Sequence, residues 1–289
     1  MSRRHLLMLV ALAAIWGASF MFIKVAVREV APVTLVWLRI SLAALVLVPV
    51  ALVVLGRPGL ASFRHAWRRL AVLGVVNSAV PFTALSWSET RIDSGLAAIL
   101  QAVAPLFTAL ILVRVGSDRV TGRRLFGIVV GFLGVALLVG VHSAGGDAPA
   151  ALGVVFTGLC YAAGGVYGHH RLRDVHPLAL AAGSIVIAAL LTAPFGIASL
   201  PGSVPGWKET GSVVVLGVVG TGVAYMLFFA ILAGAGASRS ILVTYLVPAA
   251  ALGYGVALLG EPLTASALAG LALILAGVAL GTRPVPSTA

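Results

Sequence analysis

Trp16, Ser19, Phe20 and Lys24 fall at helical spacing in one apolar stretch, so a helix would gather them into a single stripe. A second stretch carries Tyr161, Gly164, Gly165, Gly168 and His169 at matching offsets, which pairs Trp16 with Tyr161 and Lys24 with His169. Asn77, Pro81, Ala84 and Ser88 make a further face, answered by Gly220, Thr221, Tyr225 and Phe228. Ser94, Gln101, Pro105 and Thr108 make another, answered by Ser240, Thr244, Tyr245 and Pro248. The chemistry open to such groups is binding: rings form an apolar wall, and hydroxyls and amides hydrogen-bond a solute. Lipid offers no hydrogen-bond partner, so polar faces of apolar spans turn toward a cavity. The alternative is that the aromatic residues only pack. Pro105 and Pro248 each free a carbonyl one turn earlier and can kink a helix beside Gln101 and Thr244, or simply shape the bundle.

Catalytic constellations are missing. The chain has no H-E-x-x-H, Walker A or C-x-x-C motif, and Gly17-Ala18-Ser19-Phe20 lacks the second glycine of a nucleophile elbow. Its one cysteine, Cys160, excludes an intramolecular disulfide and any multi-Cys metal site. No enzyme, cofactor or metal is expected.

The charges inside apolar sequence ask for explanation. Arg39 lies within a span, where an unpaired cation is costly. Arg39 and Lys24 either snorkel to the outer interface, or attract an anionic group such as a carboxylate, or close an outer gate. Glu89 and Asp93 are the candidate partners, with Arg91 between them able to neutralise either. The remaining acids (Glu29, Asp118, Asp147, Asp174, Glu209, Glu261) fall in loops or at span ends. Only Glu89 borders a cavity face, so no embedded proton-relay carboxylate is visible. That weakens proton coupling, although a coupling proton stays open as a partner. Asp118 and Glu261 head turns before later spans, where an acid suits the helix macrodipole.

The elements that position these groups must cross a bilayer. The chain is 61% hydrophobic and 9% charged with a mean hydropathy of +1.13, whereas soluble domains average about 25% charged residues. Ten apolar runs stand near 6–27, 34–55, 70–89, 94–113, 122–141, 150–168, 177–198, 211–233, 238–258 and 264–282, each close to the length of a transmembrane helix. Loops are short apart from Arg57–Arg69 and the Pro/Gly-rich Leu200–Thr210. The net charge of +11 does not indicate nucleic acid, because position explains it. With the amino terminus inside, 14 of the 19 Lys and Arg fall on inner segments and 4 (Lys24, Arg28, Arg91, Lys208) on outer ones. The positive-inside rule then gives N-in and C-in. Glycines at helical spacing, Gly127, Gly131 and Gly134 in one run and Gly270, Gly277 and Gly281 in another, suit close packing in the bundle or in a homodimer.

The runs are duplicated. Leu73-Gly74-Val75-Val76 recurs as Leu216-Gly217-Val218-Val219, Pro105 as Pro248, Asp118 as Glu261, and Gly134-Val135-Ala136-Leu137 as Gly277-Val278-Ala279-Leu280. Arg28-Glu29-Val30-Ala31-Pro32 recurs as Arg173-Asp174-Val175-His176-Pro177. An odd number of spans per unit makes the second copy lie upside down. The expected fold is an all-α integral membrane protein of ten helices, as two inverted five-helix repeats over 1–142 and 143–289. Inverted repeats underlie alternating access in many secondary transporters.

Ile15-Trp16-Gly17-Ala18-Ser19-Phe20 with Lys24, Pro32 and Arg39 resembles the opening signature of the drug/metabolite transporter superfamily, EamA-type branch. Gly260-Glu261-Pro262-Leu263-Thr264, with Gly270 and Gly277, resembles its closing signature. The likeness covers the whole chain. It implies a ten-helix carrier of the bacterial inner membrane, often an exporter of amino acids or other small metabolites, with a central cavity. The second copy departs from the pattern, with Tyr161-Ala162 for Trp-Gly and Ser184 where Arg39 stands. The expected binding residues are Trp16, Ser19, Phe20, Asn77, Gln101, Tyr161, Tyr225, Thr244 and Tyr245, with Lys24, Arg39 and Glu89 as gating or electrostatic groups. A multidrug or nucleotide-sugar carrier is the alternative within transport, and a non-transport membrane subunit the alternative outside it. The expected partners are a small-molecule substrate and the lipid bilayer, with the protein a monomer or homodimer.

Overall fold

A computed structural model describes residues 2–115, 121–143, 146–236, 240 and 242–281, with the side chains of 57–62, 142 and 143 left aside. All regular structure among the described residues is helical. Eight helices are long and apolar enough to cross a membrane: α1 (Arg3–Ala26), α2 (Pro32–Gly56), α3 (Phe63–Glu89), α4 (Ser94–Arg114), α5 (Gly122–Val141), α6 (Ala148–Arg171), α7 (Pro177–Ala198) and α8 (Trp207–Ala235). Two shorter apolar helices follow, α9 (Val243–Leu259) and α10 (Ala265–Gly281).

Local sequence explains where helices start and stop. Ser2 caps α1 by accepting from the His5 amide at 3.3 Å. Prolines stand in the first turn of α2, α6 and α7, where the missing N–H has no partner to lose. Gly56 separates α2 from α3 with φ 58° and ψ −158°, a conformation that favours glycine. Two expected loops are partly helical: α3 begins at Phe63 and so carries Arg64, Arg68 and Arg69, and α8 begins at Trp207. A run of arginines lowers hydropathy without lowering helix propensity, so the apolar signal ends before the helix does.

Four helices are irregular inside, among them α9, which ends in a π-helical stretch at Gly255–Leu259. α3 carries a π-helical stretch at Val75–Ala79 and α8 one at Val218–Val223, the same place in the two copies. In α4 the α-helical geometry lapses at Ala102 and Val103, and resumes at Ala104 with Pro105 in its first turn. Pro248, by contrast, lies inside a helical stretch that runs from Val243 to Tyr254. The matched prolines therefore act differently, one at a helix restart and one within a helix.

The packing pairs α2 with α7, α5 with α10, α4 with α9, α1 with α8 and α9, and α6 with α3 and α4. Exchanging α1–α5 for α6–α10 leaves this pattern unchanged. α5 and α10 touch through glycine: a Cβ on Gly277 would lie 2.4 Å from Gly131 N, and one on Gly127 would lie 2.6 Å from Gly281 N. Gly134 meets Leu273 and Gly270, so these equivalent helices run antiparallel and use their small faces on each other. The α2–α7 pair is pinned by the Thr34 hydroxyl, which donates to the Gly196 and Ser199 carbonyls at 2.9 Å each.

Candidate functional site

A cavity of about 1020 Å³ lies between α1, α3, α4, α6, α7, α8 and α9, with Arg39 of α2 and Arg124 of α5 also on its wall. Trp16, Ser19, Phe20, Asn77, Gln101, Tyr161, Tyr225 and Thr244 line it, as do Arg39, Pro105 and Pro248. The aromatic residues form a linked wall. Trp16 stands 5.6 Å from Phe228, Phe228 5.6 Å from Phe229, Phe229 6.3 Å from Tyr225, and Phe82 6.4 Å from Tyr161. Phe82 was not singled out from sequence, although it is the repeat counterpart of Tyr225 and that correspondence points to it.

Small residues let this wall form. Gly17 faces away from the cavity, where a Cβ would meet Ala250 at 2.6 Å, so α1 and α9 approach closely and Trp16 is left to face inward. Gly164 leaves room for Asn77, whose Oδ1 would lie 2.8 Å from a Cβ there. Ser19 is held by donating to the Ile15 carbonyl at 3.0 Å, and Gly220 opens the space beside its hydroxyl.

Arg39 does not snorkel. It is 6% exposed, and its Nε donates to Thr221 Oγ1 at 2.9 Å. Thr221 in turn donates to the Leu216 carbonyl five residues back, a bond that the π-helical geometry of α8 makes available. The Arg39 guanidinium also stacks on Phe82, 4.1 Å from the ring centroid. It is thus a fixed cation lining an aromatic cavity.

Other expected site residues lie elsewhere. Tyr245 packs against the buried apolar cluster of α1 and α4, not on the cavity wall, because the lapse in regular geometry after Gln101 has no counterpart at this point in α9. Lys24 and Glu89 lie beyond the blind end of the cavity. The Lys24 ammonium donates to the main-chain carbonyls of Glu89 at 2.8 Å and Ile92 at 2.7 Å. Glu89 is wholly buried and borders no cavity face. Arg91 stacks over Trp87 at 4.4 Å from the ring centroid. Glu261 caps α4, accepting from Ser94 N at 2.8 Å and Gly95 N at 3.0 Å, and so serves a helix of the first copy rather than its own. Its counterpart Asp118 lies outside the described residues.

The two ends of the bundle differ. At the end that carries the start of α1, the cavity reaches Arg124, His169 and Arg173, and the last two are exposed. Arg173 is fixed there by donating to the His169 carbonyl at 2.7 Å. Sequence gave no reason to place these three on the wall, since charges at span ends read as topology signals. At the same end Arg69 grips Asp174 through two bonds of 2.9 Å, which holds the Asp174 carboxyl below its ordinary value. The opposite end is closed by the Lys24–Glu89–Ile92 contacts, the Glu261 cap and a bond of 2.7 Å from Gly206 N to Glu29. Four basic residues and no carboxylate are found among the lining residues.

Residues 3–140 and 148–283 each match the model of the EamA-like transporter family. The chain belongs to that family. This EamA-like protein is 28% identical over 277 residues to an uncharacterized transporter of Archaeoglobus fulgidus, covering 93% of this chain and 95% of the relative. It is 28% identical to the uncharacterized inner membrane transporter YedA of Escherichia coli K12, covering 95% and 89%. A relative from Streptantibioticus cattleyicolor named as a probable terminal-alkyne amino-acid exporter is 28% identical, with 95% and 92% covered. A solved crystal structure shares the fold, with a TM-score of 0.68, 19% identity and 98% of each chain covered. With its apolar helices, the EamA-like protein is a multi-pass membrane protein.

Proposed function

We propose that this EamA-like protein is a secondary carrier of the bacterial inner membrane that exports small carboxylate-bearing metabolites, amino acids foremost, by alternating access. The observation that carries the reading is the cavity itself: open at one end, closed at the other, with Arg39 fixed on its wall and no acid facing it among the described residues. Basic residues concentrate at the open end, and the positive-inside rule sets that end in the cytoplasm. A solute then loads from the cytoplasm and leaves when the closed end opens. The antiparallel packing of α5 on α10 and the exchange symmetry of the contacts support two inverted halves that rock about the cavity. The relative named as an amino-acid exporter supports the substrate class.

In this reading Trp16, Phe20, Tyr161 and Tyr225 hold the apolar part of the solute, Ser19, Asn77, Gln101 and Thr244 its polar groups, and Arg39 its carboxylate. A carrier of lipophilic cations fits less well, since such a cation would meet Arg39 with no carboxylate to offset it. A thermal-shift screen of the purified protein against metabolites tests the class, because a ligand of the folded state raises stability by mass action. The proposal expects carboxylates to stabilise the protein, and their amides or decarboxylated analogues not to. Stabilisation only by cations or neutral solutes, with no uptake of any carboxylate into reconstituted vesicles, sinks it.

A further inference from the structure

The closed end holds a polar cluster that the cavity does not reach. Glu89 is 0% exposed, and neither of its carboxyl oxygens has a hydrogen-bond partner among the described residues. The hydroxyls of Ser88 and Ser94, buried beside it in sequence and at the head of α4, are likewise unpartnered. Lys24 is near and gives two of its three N–H donors to main-chain carbonyls, and among the described residues no ion pair joins it to the carboxyl group. A buried ionised carboxylate without donors is costly, while the neutral acid is tolerated and is itself a donor.

The surroundings do not supply a better counter-charge. α1 presents Lys24, α2 presents Arg39, which is engaged with Thr221 and Phe82, and the turn between α9 and α10 presents Glu261, a second negative group. Asp93 heads α4, which then has no ionisable residue until Arg114; α6 has Asp147 at its head and none again until Cys160 and Tyr161; α7 has none at all. The charges that act on Glu89 are therefore Lys24, Arg39 from the cavity wall and the acid Glu261, and none of them is hydrogen-bonded to its carboxyl oxygens.

We propose that Glu89 is a proton-binding site, occupied by its acid form when this end of the bundle is closed and emptied to water on that side when the end opens. On opening, the Glu89 O–H bond breaks, the proton passes to water, and the carboxylate left behind is solvated opposite Lys24. Closure reverses the transfer and takes one proton from the outer side. This rests on the alternating-access reading above, and it makes outer acidity a force that returns the carrier to its loading state. One proton shifts such an equilibrium by up to about tenfold per pH unit.

Two measurements on the purified full chain test it. Infrared spectroscopy should show a carboxylic-acid carbonyl band from a dry site in the wild type, lost in Glu89→Gln and shifted in Glu89→Asp. Amide exchange in the α3–α4 turn, corrected for its intrinsic pH dependence, should rise with pH by up to about tenfold per unit in the wild type, and stay flat in Glu89→Gln. A band that survives Glu89→Gln, or an exchange profile that the substitution does not alter, overturns the site. If Glu89→Gln does not fold, an unshifted band in Glu89→Asp overturns it equally. Neither readout needs a substrate, so a protein that shows both but moves no metabolite supports the proton site and sinks the transport reading alone.

Discussion

Lys24 donates to the main-chain carbonyl of Glu89 at 2.8 Å and leaves the carboxyl group of the same residue without a hydrogen bond. A cation in a membrane protein is usually matched to a carboxylate. Here it is matched to the frayed end of α3, where Glu89 and Ile92 carbonyls have no helical partner. The closed end is therefore tied by a charge-to-carbonyl clasp beside the buried acid.

Removing that clasp should open the end. Hydrogen bonds to charged groups contribute about 1.5–3 kcal/mol, so Lys24→Met should raise labelling of a thiol placed at Ser94 by about tenfold or more. The measurement uses a Cys160→Ala background, which removes the chain's own thiol.

Arg39 should act through its fork as well as its charge. Arg39→Lys keeps the charge but loses the Nε bond to Thr221 and the stacking on Phe82. Apparent affinity for a carboxylate solute should fall by about tenfold in Arg39→Lys and further in Arg39→Gln, on the scale of one charged hydrogen bond. Equal affinity across the three proteins in vesicle uptake would remove Arg39 from the site.

The glycine contact between α5 and α10 leaves no room for a side chain. Gly277→Val should destabilise the protein by about 1–3 kcal/mol, as overpacking does, and lower its thermal midpoint. Gly253, which has open space where a Cβ would be, gives the control: Gly253→Ala should be nearly neutral.

Glu261 should stabilise a helix in the other half. Glu261→Ala removes two bonds to the first turn of α4, a loss of about 0.5–2 kcal/mol for a cap. Amide protection should fall at Ser94 and Gly95 before it falls anywhere in α10.

The Arg69–Asp174 pair sets a small acid sensitivity at the open end. The Arg69 hydrogen bonds depress the Asp174 carboxyl in the folded protein from its ordinary value of 3.8. A depressed acid contributes stability that is present above the unfolded value and lost as pH falls through the folded one. Asp174→Asn should therefore match the wild type less closely near neutral pH than in strong acid, by a margin kept small by solvent. Thermal melts across that range check the sign.

The helices and most of the residues that line the cavity were legible in the sequence, because both rest on periodicity. Trp16, Tyr161, Gln101 and Tyr225 announce themselves as polar or aromatic positions on otherwise apolar faces. The position of Tyr245 was not legible, since helical register there depends on where regular geometry lapses, and the two copies differ at that point. Charge partners were the least legible. Sequence offered Lys24, Arg39 or Arg91 as partner for Glu89, whereas Arg91 lies on Trp87, Arg39 on Phe82 and Thr221, and Lys24 reaches the main-chain carbonyl of Glu89 rather than its carboxyl group. The burial of Glu89 could not be read from a span-end position, because it is produced by neighbours far along the chain. The π-helical stretch in α8 carries no composition signal, yet it places Thr221 under Arg39.

The cap that Glu261 places on α4 ties the two halves of the sequence together. A polypeptide of residues 1–142 by itself would leave the Ser94 and Gly95 amides without their carboxylate, and only a second molecule could supply it. In the full chain the contact is intramolecular, so its strength does not depend on protein concentration.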